Sequence, residues 1–119
     1  MPKAKLVRFD SVEHQERRPG VVLTSLVDGD TGATQISSGV AEFAAGASAP
    51  MHYHDAEESV IVIEGEGLMV INGEEHIVRP NDAAFISPGA HHSIANHGSQ
   101  PFKISWTYAS IDWSTTPVD

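Results

Sequence analysis

Cysteine is absent from this sequence, and cations are few. Seven lysine and arginine residues stand against sixteen aspartate and glutamate residues, giving a formal net charge of −9 at pH 7. The lack of cysteine excludes disulfides, thiolate catalysis, thiolate-bound zinc and iron–sulfur clusters. The lack of a basic stripe argues against nucleic acid and against an anionic membrane surface, so we expect neither as a partner.

Long apolar runs and helical periodicity are also missing. Lys3, Lys5 and Arg8 are not followed by the apolar segment of a signal peptide, and no stretch is long enough to span a membrane. We therefore expect a cytoplasmic protein. A chain of this length predicts one domain, with a barrel core at about 21–109, an N-terminal arm at 1–20 and a tail at 110–119.

The sequence is instead rich in short β-type segments. β-Branched and alternating runs recur at 21–27, 35–43, 59–63 and 102–108, with turn signals roughly every ten residues. The Asn72-Gly73 pair lies between two such runs and predicts a tight hairpin. A further short strand is expected at 4–10. The pattern predicts an all-β sandwich or barrel.

Histidines and one carboxylate form the most informative cluster. His52 and His54 are two residues apart, so in a strand their side chains point to one face, roughly 7 Å apart at the backbone. Glu58 follows with the same parity, and the pair His91-His92 lies in a later segment. Three imidazoles and a carboxylate suit a divalent metal.

The spacing of these residues resembles the two motifs of the cupin superfamily. The first motif is matched in full by Gly46, His52, His54, Glu58 and Gly65. The second is matched by Gly89, His92 and Asn96, whereas Asn81 and Ser87 replace a glycine and a proline of the family pattern. Both departures fall at turns, and Asn tolerates the left-handed region better than most residues.

The resemblance implies a double-stranded β-helix, or jelly roll, with one divalent transition metal inside the barrel. It implies His52, His54, Glu58 and His92 as ligands, for Fe2+, Mn2+, Ni2+, Cu2+ or Zn2+. It places His91 behind the ligands or on the surface. It also implies a homodimer, often with an exchanged N-terminal strand.

A largely apolar pocket is expected around the metal, for a small-molecule substrate or ligand. The candidates for its wall are Phe43, Met51, Val60, Val62, Met69, Phe85, Ile94, Phe102, Ile104 and Trp106. Arg79 and Lys103 are the only cations expected in or beside the barrel strands, with simple exposure as the alternative for both, and Arg17 and Arg18 are expected in solvent. A small neutral or weakly acidic oxygenated molecule therefore fits better than a phosphorylated sugar.

Two functional hypotheses follow. The first is a metal-dependent enzyme acting on a carbonyl, enol, phenol or carboxylate metabolite, as a dioxygenase or as an isomerase, lyase or decarboxylase. Glu58 would then double as a proton shuttle. The second is a non-catalytic metal-containing barrel that binds or senses a small molecule.

Overall fold

Strands dominate the computed structural model, which describes residues 1–118. Two short 3-10 helices, Phe9–Ser11 and Gly29–Thr31, accompany eleven strands. The strands are β1 Gln15–Arg18, β2 Val21–Val27, β3 Ser37–Phe43, β4 Ser48–His54, β5 Glu58–Glu64, β6 Gly67–Ile71, β7 Glu74–Val78, β8 Ala83–Ile86, β9 His92–Ala95, β10 Phe102–Tyr108 and β11 Thr115–Pro117. In this described part of the chain, no helix has the length and hydrophobicity needed to cross a membrane.

The strands form two sheets that face each other as a jelly roll. The six-stranded sheet has the order β1-β2-β3-β10-β5-β8, and the five-stranded sheet has the order β11-β4-β9-β6-β7. Each pairing is antiparallel, which confirms the all-β prediction. Inward-facing residues alternate with outward-facing ones along β3, β5 and β10, and the inward set forms the core.

Asparagine occupies two of the tight turns. Asn72 and Gly73 connect β6 to β7 with φ of 50° and 85°, so the predicted hairpin is confirmed. Asn81 adopts φ of 77°, which explains why this residue can replace the glycine of the family pattern.

The N-terminal arm differs from the prediction. Residues 4–10 form no strand, because Leu6 is exposed and neither it nor Val7 has a neighbouring strand to pair with. The arm's strand is β1 instead, which pairs with β2 at the edge of the larger sheet.

The C-terminal tail also adds a strand, although its sequence has no clear period. Thr115 lies opposite His54, and Pro117 lies opposite His52, so β11 covers the edge of the histidine-bearing strand β4.

Asn96 fixes the loop that follows β9. Its side-chain amide donates to the carbonyls of Phe43 at 2.9 Å and Gln100 at 2.7 Å, and its oxygen accepts from the amide of Gly98 at 3.0 Å. A buried amide with all these partners ties the two sheets together at this end of the barrel.

Candidate metal centre

Three histidines from two adjacent strands converge at one side of the barrel. His52 and His92 are directly opposite each other in the β4–β9 pairing, and His54 follows two residues later on the same face. Their ring centroids lie 4.2 to 5.1 Å apart. One nitrogen from each ring lies within 4.8 Å of the other two, so these three side chains can hold a metal ion.

The other ring nitrogens are held by backbone carbonyls. Nδ1 of His52 lies 2.6 Å from the Pro50 oxygen, and Nδ1 of His92 lies 2.9 Å from the Ala90 oxygen. Nδ1 of His54 lies 3.3 Å from the Ser114 oxygen. Because a carbonyl only accepts, the neutral forms of His52 and His92 carry the proton on Nδ1 and leave the Nε2 lone pair free, whereas Nε2 of His54 lies 3.1 Å from the Tyr108 hydroxyl. Such hydrogen bonds orient histidine ligands in metal sites.

Glu58 begins β5 in the opposite sheet and faces the histidines. Its Oε1 lies 3.4 Å from Nε2 of His92 and 3.6 Å from Nε2 of His54. This oxygen is buried and has no hydrogen-bond partner among residues 1–118. Since a carboxylate oxygen and imidazole lone pairs repel one another, their arrangement fits a cation that all of them share. Glu58 as the fourth ligand remains a prediction.

Burial keeps His52 and His54 neutral. Desolvation lowers the pKa of His52 from 6.5 to about 4, with further lowering by His92 and His54. Desolvation likewise lowers the pKa of His54, although the charge of Glu58 opposes the shift. Neutral imidazoles are the form that a metal requires.

These shifts predict that the metal-free protein loses stability as the pH falls from about 6.5 towards about 4. In that window the unfolded chain binds protons at His52 that the folded chain does not, so stability rises with pH and is complete above 6.5. Urea unfolding of metal-free protein at neutral pH and at about pH 5 measures the change. His52→Asn should flatten the dependence, and an equally steep slope in that variant would contradict the assignment.

Tyr108 is one of the site residues that the sequence reasoning missed. Its hydroxyl lies 3.1 Å from Nε2 of His54, and Tyr108 is the direct strand partner of Glu58. Its ring stacks on Trp113, with centroids 4.1 Å apart. Burial, followed by the charge of Glu58, raises the pKa of Tyr108, so the phenol stays protonated. The sequence did offer one signal for Tyr108: it is the last residue on the inward-facing side of the alternating segment 102–108.

Trp113 carried no comparable signal. It lies on the tail before β11, and it reaches the site because β11 pairs with β4. Such a placement depends on tertiary pairing rather than on local pattern.

The site opens into a cavity of about 420 Å³, a size typical of small-molecule pockets. Seven of the ten predicted wall residues line it: Phe43, Met51, Val60, Met69, Ile94, Ile104 and Trp106. Tyr108 and Trp113 add to the aromatic wall beside the histidines.

Three predicted wall residues do not line this cavity. Phe85 is 66% exposed, because it pairs with Ser59, whose side chain faces outward. Phe102 is fully buried against Gly67 and Phe43 and fills the barrel interior instead. Val62 is buried in the core, further along β5 from the histidines than the lining residue Val60.

The prediction that Arg17 and Arg18 lie in solvent is confirmed, since both are exposed, but the part that the four cations take in the cavity was not predicted. Arg79 pairs with Glu66 at 2.9 Å, and Lys103 lies over the Phe9 ring, so neither reaches the cavity. Arg17 and Arg18 line it instead. His91 points away from the site and stacks on Tyr53, with ring centroids 5.3 Å apart.

Residues 39–108 match the family described as Cupin domain, and the chain belongs to that family. Tetracenomycin polyketide synthase protein TcmJ of Streptomyces glaucescens is 31% identical over 102 residues, covering 85% of this chain and 68% of the relative. A mannose-1-phosphate guanylyltransferase of Klebsiella pneumoniae is 39% identical over 57 residues, but these cover only 12% of that protein.

Solved structures show the same fold. The polyketide cyclase RemF from Streptomyces resistomycificus superposes with a TM-score of 0.86 at 24% identity, covering 98% of this chain and 87% of RemF. KdgF from Halomonas sp. superposes with a TM-score of 0.80 at 16% identity, covering 92% of this chain and 97% of KdgF. At these identities the likeness establishes the fold alone.

Proposed function

We propose that this protein is a divalent-metal-dependent cyclase that closes a ring in an enolisable polycarbonyl substrate of the polyketide type. The observation that carries the proposal is the convergence of three histidine nitrogens, a buried carboxylate and a neutral phenol at one side of an aromatic cavity. The relative named as a polyketide synthase protein and the structural neighbour named as a polyketide cyclase support this substrate class.

Different residues of the site are assigned to metal binding, to hydrogen bonding of the substrate and to exclusion of water. His52, His54 and His92 would hold the ion together with Glu58, and a bound divalent ion supplies Lewis acidity that favours the enolate of a β-dicarbonyl. Tyr108 donates a hydrogen bond to the substrate oxygen on which negative charge develops. Trp106 and the other apolar side chains exclude water from the reacting atoms.

Proton transfer is assigned to Glu58. Its carboxylate accepts the proton from the carbon between two carbonyls, and that carbon then attacks a more distant ketone of the same chain. A carbon–carbon bond forms, and Glu58 returns the proton to the resulting alkoxide oxygen. Loss of water from this alcohol completes an aldol-type cyclisation in which no electrons are gained or lost.

An anaerobic turnover assay tests this function. The protein is purified without a metal-affinity tag, its metal content is measured by elemental mass spectrometry, and it is incubated under nitrogen with aryl-substituted triketones. We expect stoichiometric metal and a cyclised product that has lost one water, with the Glu58→Gln variant as the inactive control. Turnover only with oxygen uptake would indicate a dioxygenase, and tight binding without turnover would indicate a binding module. Either result would overturn the cyclase proposal.

A further inference from the structure

An irregularity in the edge strand β1 places two arginines at the cavity. Glu16 lies opposite Val22, but Arg18 lies opposite Val21, so the pairing skips Arg17. In a regular strand, consecutive side chains point to opposite faces. A bulge of this kind redirects side chains, which explains how the adjacent residues Arg17 and Arg18 both line the cavity.

The two arginines lie where the cavity opens to solvent. Both are exposed, as are the neighbouring lining residues Pro50 and Pro117, whereas His54, Glu58 and His92 are buried. The cavity therefore has a polar inner end, an apolar wall and a cationic mouth.

The guanidinium groups pair with no acidic side chain in the part of the chain that the structure describes. Within residues 1–118, neither Arg17 nor Arg18 forms an ion pair, although the chain holds sixteen acidic residues. The adjacent carboxylate of Glu16 accepts a hydrogen bond from the amide of Gly20 at 3.3 Å. Two of the seven cations thus stand together at the mouth of a cavity in a protein of net charge −9.

We propose that Arg17 and Arg18 form an anion-binding subsite, and that the substrate carries a carboxylate or phosphate at the end distant from the metal-facing oxygens. A chain of net negative charge repels an anion at long range, so an anionic substrate needs local cations at the entrance. Guanidinium groups bind carboxylate and phosphate oxygens through paired, charge-assisted hydrogen bonds. This inference rests on the proposed function, since it describes the same substrate at its other end.

Protection of an exposed sheet edge is the alternative explanation of charged residues in β1. A charged side chain can protect a sheet edge from any position along the strand and in any orientation. It does not account for a bulge that brings two adjacent charges to the cavity. The alternative also predicts no effect of these residues on ligand binding.

A matched pair of probes tests the subsite. The first is benzoylacetone extended by an alkyl tail that ends in a carboxylate, in a short series of tail lengths, and the second is the methyl ester of each. Calorimetry of the metal-loaded protein gives the Kd of acid and ester for wild type, for the Arg17→Gln/Arg18→Gln double variant and for the Arg79→Gln control. An alkyl phosphate of the preferred tail length distinguishes the two anions.

We expect wild type to bind one acid roughly 10-fold more tightly than its ester, and this preference to vanish in the double variant but not in Arg79→Gln. The preference should also shrink as salt is added, because the subsite is exposed. Equal binding of acid and ester by wild type would overturn the subsite and leave the cyclase proposal standing. So would a preference that survives in the double variant. Failure of every probe to bind would overturn both.

Discussion

Replacing Tyr108 with phenylalanine is expected to lower kcat of the cyclisation about 100-fold or more, the usual effect of losing one donor to a developing oxyanion. The substitution removes only the hydroxyl that lies 3.1 Å from Nε2 of His54, and it keeps the ring that stacks on Trp113. Because burial raises the pKa of Tyr108, the wild-type phenol is a neutral donor across the working pH range. Steady-state kinetics of both proteins under nitrogen measure the loss.

Two further readouts separate this role from a structural one. Metal content should stay stoichiometric in Tyr108→Phe, since the three histidines and Glu58 are unchanged. Tyr53→Phe is the matched control, because Tyr53 is the protein's other tyrosine and stacks on His91 away from the cavity. A Tyr108→Phe protein that keeps full kcat would refute the donor role, and one that loses its metal would assign the hydroxyl to metal binding instead.

Sequence reasoning located the site residues whose patterns lie within a few residues of one another in the chain. The His52–His54 spacing is local, and strand periodicity alone placed both rings on one face. The hairpin at Asn72-Gly73 was equally local, because these two residues accept positive φ more readily than others. The inclusion of His92 needed the family's second motif, since only the β4–β9 pairing brings it opposite His52.

The missed features depend on tertiary register. Tyr108 reaches Glu58 because β10 pairs with β5 so that these two residues are direct partners, and no local pattern reports that register. The β1 bulge that brings Arg17 to the cavity is an irregularity in the β1–β2 pairing. From sequence alone, this segment is only a polar stretch that leads into a turn. Phe85 was misassigned because an apolar residue in a short edge strand has no marker for the face it occupies.

The His92→Ala variant should lose at least about 100-fold in metal affinity, since loss of a residue that merely orients a ligand already costs 10- to 100-fold. His92 supplies one of three converging nitrogens and is 3% exposed. His91 cannot substitute, because its ring stacks on Tyr53 on the outer side of the sheet. Competition with a fluorescent chelator, for each of the candidate divalent ions, measures the affinity.

The same variant should lose the stabilisation that the metal confers. An ion that binds only the folded state adds about 2.7 kcal/mol to the free energy of unfolding at 100 times its Kd, and the variant should gain almost nothing at that concentration. His91→Ala is the matched control, being the adjacent residue with the same side chain, and its metal-dependent rise in Tm should equal that of wild type. An unchanged metal content in His92→Ala would instead mean that the ion is held by other residues. In that case the role of Glu58 and Tyr108 in the reaction would have to be assigned around a different centre.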